Sequence, residues 1–185
     1  MKTRTRTALT ACAAGLLAVS TALADVTVWF DPTPRMAQVG DTFTINLVAN
    51  IPQSQAVIGW GLDYIFPTPG VISQVQFTVG PAWDPAPGTP DGDGLAGLVH
   101  FPPGGGVSGP NVLLATLTFQ ALAAGQTALV ASDDYPGDPT EGFAIDPAIG
   151  GGFANVTYVD GLVIIPEPSA AILLVLAATF LRRRR

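Results

Sequence analysis

Apolar residues in this chain recur at every second position, and that rhythm limits the fold more than any other feature. In "TFTINLVA", Phe43, Ile45, Leu47 and Ala49 share one face of an extended strand. Trp60, Leu62, Tyr64 and Phe66 do the same in "IGWGLDYIF", and Val71, Val75, Phe77 and Val79 in "VISQVQFTV". "LLATLTFQA" aligns Leu113, Ala115, Leu117, Phe119 and Ala121. No stretch between the chain ends sustains a 3.6-residue period, so helices are not expected to build the core. Turn-forming residues bound the runs, as at Val39-Gly40-Asp41 and Ala124-Gly125-Gln126. With "VTVWF", "LAGLVHF", "TALVA" and "NVTYVDGLVII" added, the count reaches about eight or nine short strands. The pattern predicts an all-β domain over residues 25–165, an antiparallel β-sandwich or jelly roll whose inner faces form the core. That length is enough for one domain with a real core.

The two flanks read differently. Lys2, Arg4 and Arg6 precede an apolar run from Ala8 to Val19, and Ala22-Leu23-Ala24 supplies the small residues that a signal peptidase cuts after. Residues 1–24 are therefore expected to be a signal helix, with the mature chain starting at Asp25. Leu9-Thr10-Ala11-Cys12 also has the look of a lipobox, but cleavage there would strand "AAGLLAV" in the mature protein. Cys12 is the single cysteine and leaves with the leader, which excludes disulfides and thiol chemistry from the domain.

Residues 166–185 end in "PEPSAAILLVLAATFLRRRR". As a helix, the apolar run from Ser169 to Leu181 would span roughly 20 Å, short of the roughly 30 Å hydrocarbon core. Arg182, Arg183, Arg184 and Arg185 should stay on the cytoplasmic side and orient the segment. Pro166 and Pro168 flank Glu167 and fix an extended, accessible break outside the membrane. A short hydrophobic helix beside such a break suits a temporary anchor; a plain tail anchor is the alternative.

Both flanks hide the charge of the domain. Three of the eight basic residues lie in the leader and four in the tail, leaving Arg35, while all fourteen acidic residues lie between Asp25 and Glu167. The exported piece thus carries about −13, against −6 for the whole chain. Nucleic acids and anionic lipid surfaces are excluded as partners, since both need a basic patch. Divalent cations, basic proteins and neutral polysaccharide remain.

Pro166-Glu167-Pro168, a hydrophobic run and a terminal arginine cluster together resemble the PEP-CTERM sorting signal of exported bacterial proteins. The resemblance implies recognition by a membrane-embedded exosortase, removal of the tail and delivery to the cell surface or an exopolysaccharide matrix. A second resemblance spans most of Val26 to Ile164. "VTVWFDPTPRMAQVGDTFTINLVAN", "IGWGLDYIF", "LLATLTFQALAAGQTALVAS" and "FANVTYVDGLVI", in that order, look like the cohesin-type β-sandwich. It implies a jelly roll that binds a partner, a dockerin module or a carbohydrate-associated protein. Tyr64-Ile65-Phe66-Pro67 departs from the cohesin pattern at this strand, which puts dockerin recognition itself in question.

Catalysis finds little to work with. His100 is the single histidine and sits among apolar residues in "LAGLVHF", and the exported piece has no lysine or cysteine. Asp63, Asp84, Asp133 and Asp134 could serve as paired carboxylates, but no spacing pairs them across a cleft. No enzyme and no cofactor are expected. In the loop "GPAWDPAPGTPDGDGLAG", Asp91 and Asp93 are spaced as calcium ligands, but Leu95 and Pro102 break the EF-hand pattern, and a solvated acidic turn is the better reading. Trp83, between Pro81 and Pro85, either presents an indole face to a sugar ring or a partner, or folds down as a lid. Asp133, Asp134, Asp138 and Glu141 make a further acidic loop. The expected function is that of an exported, non-enzymatic surface or matrix protein that touches membrane only through its tail before processing. The alternative is a carbohydrate-binding or cohesin-like recruitment module.

Overall fold

The computed structural model describes residues 25–65, 67–85, 94–99, 105–138 and 140–167. The leader with Ala22 and Ala24, and the tail from Pro168 through Arg182 to Arg185, lie outside them, so both flanking helices do as well. Among the described residues no helix is long and apolar enough to cross a membrane.

Twelve strands build two sheets among the described residues, more than the eight or nine expected. The additional ones are short segments without an alternating run of their own. The first sheet holds β1 (Val26–Asp31), β3 (Thr42–Ile51), β5 (Ile72–Val79), β8 (Gly109–Ala121) and β11 (Val156–Val159), ordered β11-β1-β3-β8-β5. The second runs β2-β12-β9-β4-β7-β6, made from β2 (Arg35–Met36), β12 (Gly161–Ile165), β9 (Gly125–Ser132), β4 (Val57–Ile65), β7 (Gly94–Val99) and β6 (Trp83–Pro85). β10 (Gly142–Ile145) adds to β4 beside β9.

The pairings are antiparallel with two exceptions. Val26–Trp29 of β1 runs parallel to Val156–Val159 of β11, and Arg35–Met36 of β2 runs parallel to Val163–Ile164 of β12. β11 and β12 are separated by Asp160 alone, so the chain crosses from one sheet to the other in a single residue. Alternation then does what it predicts. Phe43, Ile45, Leu47 and Ala49 of β3 are buried, and so are Trp60, Leu62 and Tyr64 of β4 and Ala115, Leu117, Phe119 and Ala121 of β8. They meet Phe30, Leu129, Phe143 and Ile165 in one continuous core. Fully burying a large apolar side chain contributes roughly 1.5–3 kcal/mol, and the core holds many.

β5 departs from the expected pattern. Its pairing with β8 shifts register between Gln74 and Gln76, leaving Val75 opposite no partner. Val75 is consequently 60% exposed while Ile72 is buried. An extra residue in one strand swaps the faces of everything beyond it, so the single face expected for Val71, Val75, Phe77 and Val79 does not exist. A second bulge, between Leu47 and Val48 of β3, turns Leu114 of β8 into the core beside Ala115.

Candidate binding surfaces

Trp83 is 3% exposed, so of its two possible roles the structure shows the lid. Its indole N–H donates to the Leu113 carbonyl at 3.0 Å, and its ring meets Trp60 edge-on at 6.3 Å. Gly97, paired with Trp60 across β4 and β7, makes room for this arrangement, because a Cβ there would lie 2.8 Å from the Trp60 indole nitrogen. An indole held on both sides offers no face to a sugar, and the expectation of a stacking platform at Trp83 is corrected on that ground.

The acidic loop after β9 folds back on itself. The Asp133 carboxylate accepts a hydrogen bond from the Tyr158 hydroxyl at 2.6 Å, tying the loop to β11. Glu141, buried, accepts from the Asp134 backbone N–H. Asp138 accepts from both the hydroxyl and the N–H of Thr140, each at 2.7 Å, and these bonds hold its carboxyl below its ordinary value. Gly61 makes the crossing possible, since a Cβ there would lie 2.2 Å from the Thr140 carbonyl oxygen.

Three titrating groups feel this packing. Burial lifts the Glu141 carboxyl above 4.5; the Asp134 N–H opposes that rise, and the charges of Asp63, Asp138 and Asp134 reinforce it. Burial, then the hydrogen bond to Asp133, raises the Tyr158 hydroxyl, and burial alone pushes Tyr64 up to about 12. A carboxyl with a raised folded value binds its proton more readily folded than unfolded. It therefore favours the folded state at low pH, and that contribution is lost as pH rises from 4.5 through the raised value. Glu141→Gln keeps an oxygen acceptor and removes the charge. The variant is expected to melt at a higher temperature than the wild type at pH 7, with the difference closing below pH 4.5, as melting curves from pH 3 to 8 would show. A variant that melts lower at pH 7 would mean that the carboxylate's hydrogen bond outweighs its repulsion.

Beside this loop lies an exposed aromatic pair. Tyr135 and Phe153 stack with ring centroids 3.8 Å apart and planes 20° from parallel. They are 41% and 37% exposed, and Ile149 is exposed in the same connection as Phe153. Gly142 lies beneath the pair, where a Cβ would come within 3.0 Å of Phe153. Two stacked rings left open to water, the first directly after Asp133 and Asp134 in the chain, form an exposed aromatic surface. The sequence held no local sign of it, because the rings come from loops eighteen positions apart that meet only once β10 is in place.

Of the remaining sites read from sequence, Pro166 and Glu167 follow β12 at the surface, where the chain leaves the domain. His100, Asp91 and Asp93 lie outside the described residues. Among those described, no group of three histidine, cysteine or acidic side chains is placed to hold a metal.

Two packed sheets with mostly antiparallel pairing define the chain as a β-sandwich. Solved structures give that class a particular form, that of the cohesin domain. The third ScaB cohesin of R. flavefaciens, in complex with a group 1 dockerin, superposes with a TM-score of 0.58 at 13% identity, covering 80% of this chain and 99% of that one. The seventh ScaB type I cohesin from Pseudobacteroides cellulosolvens gives 0.55 at 11% identity, over 76% of this chain and 91% of that one. A non-cellulosomal cohesin from the hyperthermophilic archaeon Archaeoglobus fulgidus reaches 0.50 at 18% identity, over 80% and 96%. At such identities the likeness is one of fold. No family model matches the chain, and neither does any curated protein.

Proposed function

We propose that this protein is an exported, non-enzymatic recruitment module that holds another extracellular protein at the cell surface. The observation that carries the reading is the likeness of fold to cohesins, one of them solved in complex with a dockerin. A fold matched over 99% of a domain solved in complex with a dockerin supports a partner-binding role. The stacked Tyr135–Phe153 pair, in which Tyr135 belongs to the loop that also carries Asp133, Asp134 and Asp138, is the surface we assign to the partner. Exposed aromatic anchors with a polar rim are what concentrate binding energy in protein interfaces. The complementary partner surface is basic, with at least one apolar or cationic side chain to cover the rings.

Delivery rests on the tail. Pro166, Glu167 and Pro168, the apolar run and the four arginines support processing by an exosortase and release to the surface or matrix. A bulk structural role in the matrix is the second reading, favoured by the same tail. One experiment tests both steps. The full chain is expressed in a host with an exosortase, and the mature protein is recovered from the cell surface, weighed intact and crosslinked to its neighbours. The expected mass lacks the leader and everything after about Pro168. One extracellular protein should be crosslinked by the wild type and lost from the Tyr135→Ala/Phe153→Ala variant. A mass that retains Arg182 to Arg185 in the membrane fraction would leave a plain tail anchor. Absence of a crosslinked partner that depends on those rings would leave the matrix role.

A further inference from the structure

The outer face of the first sheet is unlike the rest of this acidic molecule. Reading across the strands, Asn46 of β3 pairs with Thr116 of β8, and Thr116 with Thr78 of β5. The next row is Thr44, Thr118 and Gln76, and the next is Thr42, Gln120 and Ser73. On the other side of Asn46, a row of apolar groups crosses four strands: Val159 of β11, Trp29 of β1, Val48 of β3 and Leu113 of β8. Beyond it lie Thr157, Thr27 and Asn50. Hydroxyl and amide side chains therefore border an apolar stripe on both sides. Asp31, at the end of β1, is the one charged residue among these outward positions of the described strands.

Two details give the face a direction. Val48 points outward yet is 7% exposed, with Trp29 and Leu113 as its cross-strand neighbours, so the stripe is a packed ridge. Trp29 itself is half-buried. The row of Thr27 and Asn50 then continues into a groove of about 560 Å³ at that end of the sandwich, lined also by Pro52, Gln53, Ser108 and Pro110. Asp25 is the one acidic residue among those that line it. The Asn50 side chain accepts from the Asn111 N–H at 3.0 Å, which fixes its amide where face and groove meet.

We infer that this face and groove bind a neutral polysaccharide chain, laid along the stripe over Trp29 and turned into the groove past Thr27 and Asn50. Sugar rings carry hydroxyls at their edges and C–H bonds on their faces. Threonine, asparagine and glutamine both donate and accept, matching the edges, and an indole flanked by valine and leucine matches the faces. Charge selects against the other occupants. A domain of about −13 repels anionic polymers, and a basic protein gains more at the acidic loop than on a sheet face whose one charge is Asp31. A second copy would bring two such charges together over a face with little apolar area to offset them.

The inference is independent of the recruitment reading, which rests on Tyr135 and Phe153. Affinity electrophoresis of the full-length protein tests it, through gels containing dextran, galactomannan, xyloglucan or hydroxyethylcellulose, with alginate as the anionic control. At least one neutral polymer should retard the protein and alginate should not. Trp29→Ala should weaken that retardation about tenfold or more, and Trp29→Phe should restore part of it. Thr118→Glu places a charge in the middle of the face at a solvent-facing strand position; it should weaken retardation as well, with circular dichroism confirming that the variant is folded. Retardation by no neutral polymer, retardation that survives both Trp29→Ala and Thr118→Glu, or stronger retardation by alginate would each overturn the inference.

Discussion

Phe119→Ala is expected to remove about 3–5 kcal/mol of folding stability and to lower the melting temperature by about 10–20 °C. Phe119 is fully buried in β8, a strand hydrogen-bonded on both sides by β3 and β5. Its ring lies 5.8 Å from that of Phe43, its direct partner on β3, and it faces the second sheet across the core. Backbone held on both edges cannot fall inward, so most of the ring's volume would remain as a cavity and the full transfer and void terms should appear. Urea unfolding of wild type and variant would report it as a fall in midpoint at constant slope. A loss below about 1 kcal/mol would show that the two sheets can close over the space, which this ladder does not allow.

Gly61→Ala should cost about 2–4 kcal/mol, far more than the addition of a methyl group suggests. The new Cβ would sit 2.2 Å from the Thr140 carbonyl, and the Glu141 Cα is 3.1 Å away. Both neighbours are backbone and cannot rotate aside. Gly61 lies in the middle of β4, paired to β7 on one side and to β10 on the other, so the strand cannot retreat without breaking a ladder. The loop must move instead. Because that loop carries Glu141 and the hydrogen bond between Asp133 and Tyr158, the variant should also lose the pH dependence that Glu141 confers. Melting curves at pH 4 and pH 7 would show both effects, and a variant that melts like the wild type would mean that the loop is not held against the strand.

The central strands could be read from the sequence because burial on one face leaves a mark at every second residue. β3 shows it from Phe43 to Ala49 and β4 from Trp60 to Tyr64, and the structure places those residues inside. β5 shows where such reading ends. One unpaired residue at Val75 reverses the faces, and a bulge has no signature in a list of hydrophobic positions. The same holds for the parallel pairings, which join segments far apart in sequence with no turn between them to announce them. Trp83 was legible as important but not as buried, since its fate depends on Trp60 and Gly97 across the ladder. The exposed pair of Tyr135 and Phe153 and the outer face with its single charge at Asp31 are products of register, and only a folded sheet displays them.

The parallel pairing of β1 with β11 also sets the order of events when the domain is made. Of the sandwich strands, Val26 to Trp29 leave the ribosome first, and Val156 to Val159, one of their two flanking strands, follow only after nearly all the others. Until then β1 can pair with β3 alone, and Val26, Val28 and Phe30 lack the rest of the core that will cover them. A contact closed across nearly the whole chain is slow to form, so completion of the sandwich is tied to the arrival of its final strands. The residues that seal the domain, Val156–Val159 and Gly161–Ile165, directly precede Pro166, so the sandwich closes only once the chain has been made as far as its exit from the domain.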